Sequence, residues 1–115
     1  MIDIETENKF KEVLVLLGEQ FGGEPDMQAV LFLIGVQELG KGNIKLNKNE
    51  KLDVMHIAIC SLLAPYGYYM FEGYDKDGWP HWSANEKLPA LKPVQQGNLM
   101  KQAVVDYFKT EGLIK

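Results

Sequence analysis

The spacing of apolar residues predicts a first helix near the start of the chain. Between Thr6 and Phe21, apolar side chains recur every three or four residues, and most positions between them are polar or charged. This spacing is typical of an amphipathic helix that buries one face. The predicted buried face consists of Phe10, Val13, Leu14, Leu17 and Phe21.

Two further helices are predicted to be apolar on nearly every side. The second occupies 26–39 and ends at Gly40 and Gly42. The third occupies 48–64, and the segment Asn47–Glu50 that opens it is a variant of the capping box, in which two side chains satisfy amide hydrogens of the first turn. Because segments of this kind are covered on several sides, we expect these two helices to form the centre of the fold.

After the third helix the pattern changes from helical to extended. The segment 66–74 is rich in aromatic residues, 75–78 has the composition of a tight turn, and 79–84 returns as a second strand. Gly78 suits the left-handed position of such a turn, so this segment is predicted to be a β-hairpin. Pro80 lacks an amide donor, which places its strand at an edge or turns its amide side outward.

A final helix is predicted over 98–110, after an extended crossing marked by Pro89 and Pro93. The sequence therefore predicts a single domain over 1–115 of the α+β class. It is mostly helical, with about four helices and one β-hairpin packed on the helical core, and the first and fourth helices flank the central pair. The predicted buried face of the last helix consists of Leu99, Met100, Ala103, Val104 and Tyr107.

Charge and composition exclude several classes of partner. The formal net charge is -4, and all 12 basic residues are lysine, so the chain has no arginine for a two-pronged grip on phosphate. We therefore expect no nucleic-acid partner, because that binding depends on clustered cations. No apolar run approaches the roughly 20 residues that cross a bilayer. An acidic start and one cysteine, Cys60, favour the cytoplasm and no membrane partner.

The first candidate site lies on the two central helices. At about 100° per residue, Glu38 shares a side with apolar residues of the second helix, and His56 shares one with Leu52 on the third. Both groups are therefore expected to face one core, where each would shift the pKa of the other. Asp53 precedes His56 by three positions, as in helical metal sites. The simpler interpretation, which we favour, is a hydrogen-bonded core histidine with Glu38 at a helix end.

The second candidate site is the aromatic hairpin, where seven of the twelve aromatic residues fall within seventeen positions. Tyrosine and tryptophan are enriched where proteins bind other molecules. However, a two-stranded hairpin must also pack one face on helices, so we favour the interpretation of these rings as the lid of a core. The candidate binding residues of this hairpin are Asp75, Asp77, Trp79, His81 and Trp82.

The acidic turn partly resembles a calcium-binding loop, with acids at Asp75, Asp77 and Glu86. The match fails at Trp79 and Pro80, where an oxygen ligand and a turn glycine are required. Turn geometry explains the aspartates more simply. His81 is expected within reach of Glu72, Asp75 or Asp77, depending on the strand register.

Complete catalytic motifs are absent from the sequence. It contains no phosphate-binding loop, no dinucleotide fingerprint and no serine nucleophile turn. Cys60 lies four residues after His56, but an apolar run raises the pKa of a thiol and hides it, so a cysteine nucleophile is not favoured. One cysteine and two histidines do not make a zinc site. The sequence thus predicts no cofactor, no metal and no catalytic residue.

Two segments, Lys51–Cys60 and Gly73–Trp82, resemble those of small intracellular bacterial proteins to which no activity is assigned. The resemblance covers mainly residues 28–88. It implies a small bacterial protein of the same kind, and it carries over no catalytic residue.

Three functional hypotheses follow. The leading one is a non-catalytic binding or assembly module that holds a protein partner, or a second copy in a homodimer, through the aromatic hairpin and its acidic turn. The alternative is a small enzyme or metal-dependent protein with a polar site at Glu38, Asp53, His56 and His81. The third is a small-molecule carrier in which the tyrosines and tryptophans line an apolar pocket.

Overall fold

The structure is a computed structural model that describes residues 4–40, 45–87 and 89–115, so Gly42 of the predicted helix end lies outside the described residues. The described chain contains four α-helices and one antiparallel hairpin, which confirms the predicted mostly helical α+β class. None of these helices combines the length and the apolar character needed to cross a membrane. The elements are α1 (Ile4–Phe21), α2 (Met27–Leu39), α3 (Lys48–Leu63), a 3-10 turn (Ala64–Tyr66), β1 (Tyr69–Tyr74), β2 (Pro80–Ala84) and α4 (Pro93–Thr110).

The chain forms two compact units. The helical unit consists of Met1–Asp26 and Ala90–Lys115 and contains α1 and α4. The hairpin unit consists of Met27–Pro89 and contains α2, α3 and the β-hairpin. The single domain stays a prediction from chain length.

In the helical unit, α1 and α4 pack as a pair of amphipathic helices. The Thr6 hydroxyl donates to the side-chain oxygen of Gln102 over 2.9 Å, and Lys101 Nζ lies 3.0 Å from a carboxylate oxygen of Glu7. These bonds join residues at opposite ends of the sequence. The buried apolar residues of the two helices are Phe10, Val13, Leu17, Ala103, Val104, Val105 and Phe108.

The last helix differs from its prediction in both its start and its buried face. It begins at Pro93, five residues before the predicted start at Asn98, because proline suits the first position of a helix, where no amide hydrogen is required. Phe108 is buried, whereas its neighbour Tyr107 is half-buried. Adjacent residues point in different directions from a helix, so the buried face can centre on only one of these two rings. The spacing of apolar residues does not show which one.

In the hairpin unit, α3 begins with the predicted capping box. The amide of Glu50 donates to Asn47 Oδ1 over 2.9 Å, and the amide of Asn47 donates to Glu50 Oε1 over 3.1 Å. Helices α2 and α3 then approach closely at Gly35, where a Cβ atom would lie 2.1 Å from the carbonyl oxygen of Val54. The contact of these two central helices therefore requires a glycine at position 35.

The hairpin has the predicted turn and an additional bulge. The Gly78 amide donates to the Asp75 carbonyl over 3.0 Å, and Gly78 has the left-handed φ of 84°. Phe71 pairs with Trp82 and Gly73 pairs with His81, so the ladder is irregular between Phe71 and Gly73. Such a bulge increases the local twist and redirects side chains. It fixes the register that the sequence left open.

Candidate functional site

A cleft of about 470 Å³ lies in the hairpin unit, lined by α3, the hairpin turn and β2. Its wall combines four carboxylates and two imidazoles with the two tryptophans of the chain. Among the described residues that line it there is no lysine. The lining residues are Glu50, Asp53, His56, Ile57, Asp75, Asp77, Trp79, Pro80, His81 and Trp82.

This cleft brings the two predicted candidate sites together. Glu38 is the one candidate outside its lining; it is exposed near the end of α2. The expectation that Glu38 and His56 face one core is wrong, since both residues are exposed. The candidates that line the cleft are Asp53, His56, Asp75, Asp77, Trp79, His81 and Trp82.

The misplacement of His56 has a simple geometric cause. His56 does share a side of α3 with Leu52, as the helical spacing predicts, but Leu52 is 58% exposed. The face of α3 that packs inward carries Val54 and Ile57. Helical spacing shows which residues share a side of a helix, but it does not show which side is buried.

Asp75 organises the turn at one end of the cleft. Its Oδ1 accepts from the amides of Asp77 and Trp79 over 2.9 and 3.0 Å, and its Oδ2 lies 2.9 Å from Nε2 of His81. An aspartate that accepts two backbone amides in this way fixes a tight turn. Both oxygens of Asp75 are thus engaged within the hairpin.

These bonds lower the pKa of the Asp75 carboxyl from 3.8 to about 2. The hydrogen bond from His81 is the largest cause, followed by the amide of Trp79. Hydrogen bonds to a carboxylate favour its charged form. Asp75 therefore remains negative throughout the neutral range, and it is the partner of His81 among the three that the sequence allowed.

The aromatic residues of the hairpin divide into packed and exposed groups. Trp79 packs against a buried cluster of Leu39, Val54 and Ile57, and this contact explains the ring as part of a core. In contrast, Phe71 is 48% exposed and Tyr74 is 67% exposed. Packing therefore explains Trp79, whereas Phe71 and Tyr74 are rings that the core does not cover.

The exposed rings continue from the wall of the cleft. The centroid of Phe71 lies 5.1 Å from that of Trp82 and 5.2 Å from that of Tyr74. These distances are normal for aromatic pairs in contact. We call this series Trp82, Phe71 and Tyr74 the ring ladder; it extends the cleft with an exposed apolar surface.

Trp82 also carries an unsatisfied polar atom. Its indole Nε1 is buried and has no hydrogen-bond partner in the described part of the chain. A buried donor without an acceptor typically costs about 1–3 kcal/mol.

Cys60 is buried, as predicted, and its Sγ lies 3.5 Å from Nε2 of His56. Burial raises the pKa of this thiol to about 11. The thiol is therefore protonated at neutral pH, and a thiol is a weaker nucleophile than a thiolate. His56, which lies beside the thiol, also contacts the ring of Tyr69 edge to face.

Sequence reasoning missed Glu50 as a lining residue, because it assigned that side chain only to the helix cap. Glu50, Asp53 and His56 follow one another at intervals of three, a spacing that places them on one side of a helix. This spacing in the sequence could have indicated that Glu50 belongs to the same site as Asp53 and His56. Within the described ranges, no group of three or more histidine, cysteine or acidic residues is arranged to hold a metal ion.

Comparison of the chain with known protein families, with curated proteins and with solved structures finds no match. The residues of this chain are therefore the only guide to its function, and the resemblance to small bacterial proteins stays a prediction.

Proposed function

We propose that this chain is a non-catalytic binding module that holds a protein partner at the cleft and the ring ladder of the hairpin unit. The observation that carries the proposal is that charged and aromatic residues from distant parts of the sequence line one open cleft next to exposed rings. Binding surfaces combine large rings with charged groups in this way.

The exposed rings distinguish this surface from ordinary packing. Phe71 and Tyr74 contact each other but are largely open to solvent. Single exposed apolar residues need no explanation, whereas contiguous ones mark interaction sites. A partner that covers the ring ladder would bury these rings together with Trp82.

The catalytic alternative has less support. It places Glu38, Asp53, His56 and His81 in one polar site, but Glu38 lies outside the cleft lining and His81 is engaged with Asp75. The third hypothesis, an apolar carrier pocket, fits less well because four carboxylates line the cleft. A binding role needs neither a free base nor an apolar cavity.

We further propose that the module acts in the cytoplasm, without nucleic-acid or membrane partners. A net charge of -4, the absence of arginine and a single buried cysteine support this location and partner class. The competing proposal is that two copies of the chain associate with each other through the same surface.

The test is selection of binding peptides from a random displayed library on the folded protein, followed by affinity measurement. We expect selected peptides to lose about tenfold or more in affinity on Phe71→Ser/Tyr74→Ser, since interface rings are frequent hot spots. Val15→Ser/Leu113→Ser is the matched control, because it removes two exposed apolar residues from the helical unit.

Two results would contradict the binding proposal. One is a failure of the library to yield any peptide that binds the folded protein. The other is a set of peptides that lose affinity only on the control substitution. Sedimentation of the protein over a range of concentrations distinguishes a homodimer from a module that binds another protein. A homodimer would form without any peptide and would dissociate on Phe71→Ser/Tyr74→Ser.

A further inference from the structure

We infer that the cleft takes a positively charged side chain, a lysine or arginine, carried by an extended segment of another protein. The inference rests on the proposed binding function and specifies the chemistry of the partner. It follows from three independent features of the cleft: its charge, its aromatic wall and its continuation into the ring ladder.

The charge of the lining is strongly one-sided. Four carboxylates line the cleft, and one of them, Asp75, is paired with a histidine. In the described part of the chain, Asp53 takes part in no hydrogen bond or ion pair, and it is exposed on α3. Carboxylates gathered in a recess attract cations, and the low dielectric of the walls strengthens the attraction.

The aromatic wall supports the same class of ligand. Both tryptophans of the chain line the cleft together with the carboxylates. Tryptophan is the aromatic residue that attracts an ammonium or guanidinium group most strongly, through the negative face of its ring. Rings and carboxylates in one recess therefore select a cation with an apolar stem, which describes lysine and arginine side chains.

The ring ladder favours a side chain on a protein segment over a free amine. It extends the aromatic wall beyond the cleft, so a chain that continues past the cation finds apolar surface to cover.

The net charge of the chain favours a different protein over a second copy. Each copy carries a formal charge of -4, so two copies repel each other at neutral pH. A basic segment is attracted to the same surface. Association should therefore be faster at low salt, because long-range steering falls as the ionic strength rises.

The test uses arrays of capped 12-residue peptides with lysine or arginine at the centre and varied flanking residues. Matched arrays carry glutamine or glutamate at the centre. We expect binding to the basic arrays alone, with affinities that fall when the salt concentration rises. Butylammonium chloride, which has the cation but no peptide, should bind at least tenfold more weakly than the best peptide.

The double variant Glu50→Gln/Asp53→Asn removes two negative charges from the cleft. Glutamine keeps the oxygen that caps α3, so the fold is retained. We expect the basic peptides to bind about tenfold more weakly to this variant, since two exposed ion pairs are lost. The control Glu38→Gln/Glu86→Gln removes the same charge from exposed positions that do not line the cleft, and it should leave affinity unchanged.

Each contrary outcome identifies what fails. If glutamine-centred peptides bind as well as basic ones and still require the ring ladder, the cationic ligand is wrong and the binding module stands. If butylammonium or Ca²⁺ binds as tightly as the best peptide, the protein-segment ligand is wrong. If the two double variants weaken binding equally, the cleft is not the cation site. If no array binds, both this inference and the proposed function fail.

Discussion

The two units of the chain use apolar residues in different ways. In the helical unit, α1 and α4 each bury one face and expose the other, and their side-chain bonds include the ion pair between Glu7 and Lys101. In the hairpin unit, α2 is apolar on several sides, and four carboxylates and two imidazoles line a cleft beside the hairpin. The first arrangement is what helix pairing requires; the second leaves charges and rings that packing alone does not use.

The largest expected effect is that of Gly35→Ala, which tests the close approach of α2 and α3. The added methyl group meets the backbone of Val54 at 2.1 Å, so one of the helices must move. Forced overpacking of this kind costs about 3 kcal/mol of unfolding free energy. Chemical denaturation followed by circular dichroism measures it; a change below about 0.5 kcal/mol, the range of neutral surface substitutions, would contradict the close approach.

The next effect separates packed rings from exposed rings. Trp79→Ala removes a half-buried ring from the Leu39, Val54 and Ile57 cluster, and we expect a loss of about 2 kcal/mol, below the cost for a fully buried ring. Tyr74→Ala removes a ring that is 67% exposed and should cost about 0.5 kcal/mol or less. Denaturation midpoints of the two variants check the order, and equal losses would show that both rings are packed.

A smaller effect of opposite sign is expected in the helical unit. Gly97 lies inside α4, and beyond its chain neighbours and the backbone of its own helix a Cβ atom there meets no atom within 4 Å. Gly97→Ala should therefore stabilise the protein by about 0.5–1 kcal/mol, since alanine loses less conformational freedom in a helix. Thermal unfolding measures the gain. A loss of stability would mean that position 97 is covered or is not helical.

The smallest effect concerns the charge of the turn. The pKa of Asp75 is lowered to about 2, so its contribution to stability is complete above its ordinary pKa of 3.8 and is lost as the pH falls through 2. His81→Ala should raise the pKa of Asp75 only part of the way, because the amides of Trp79 and Asp77 still donate. Carbon NMR of the Asp75 carboxyl measures it, with His56→Ala as the control that leaves the pKa unchanged.

The elements with local signals are the ones that the sequence predicts well. The capping box of Asn47 and Glu50 and the Gly78 turn depend on a few neighbouring residues, and both are present as predicted. The register of β1 and β2 depends on a bulge between Phe71 and Gly73, for which the sequence offers only the glycine. His81 therefore had three possible partners until the structure assigned Asp75.

The sequence predicted most residues of the candidate site but not that they lie together. Asp53 and His56 were assigned to one site and Trp79 and Trp82 to another, yet all four line one cleft. Their meeting depends on how α3 packs against the hairpin, a contact between segments distant in the sequence. The exposure of His56 was missed because His56 was grouped with the apolar Leu52, and Leu52 is itself 58% exposed.

The most direct test of the account is an amide NMR map of the protein with the best basic peptide from the arrays. We expect shifts at Asp53, at Asp75 and at the indole N–H of Trp82, with the resonances of α1 and α4 unchanged. In Glu50→Gln/Asp53→Asn, about ten times more peptide should be needed to reach the same shifts. Shifts confined to α1 and α4, or no shifts at a saturating concentration of the peptide, would contradict the assignment of binding to the hairpin unit.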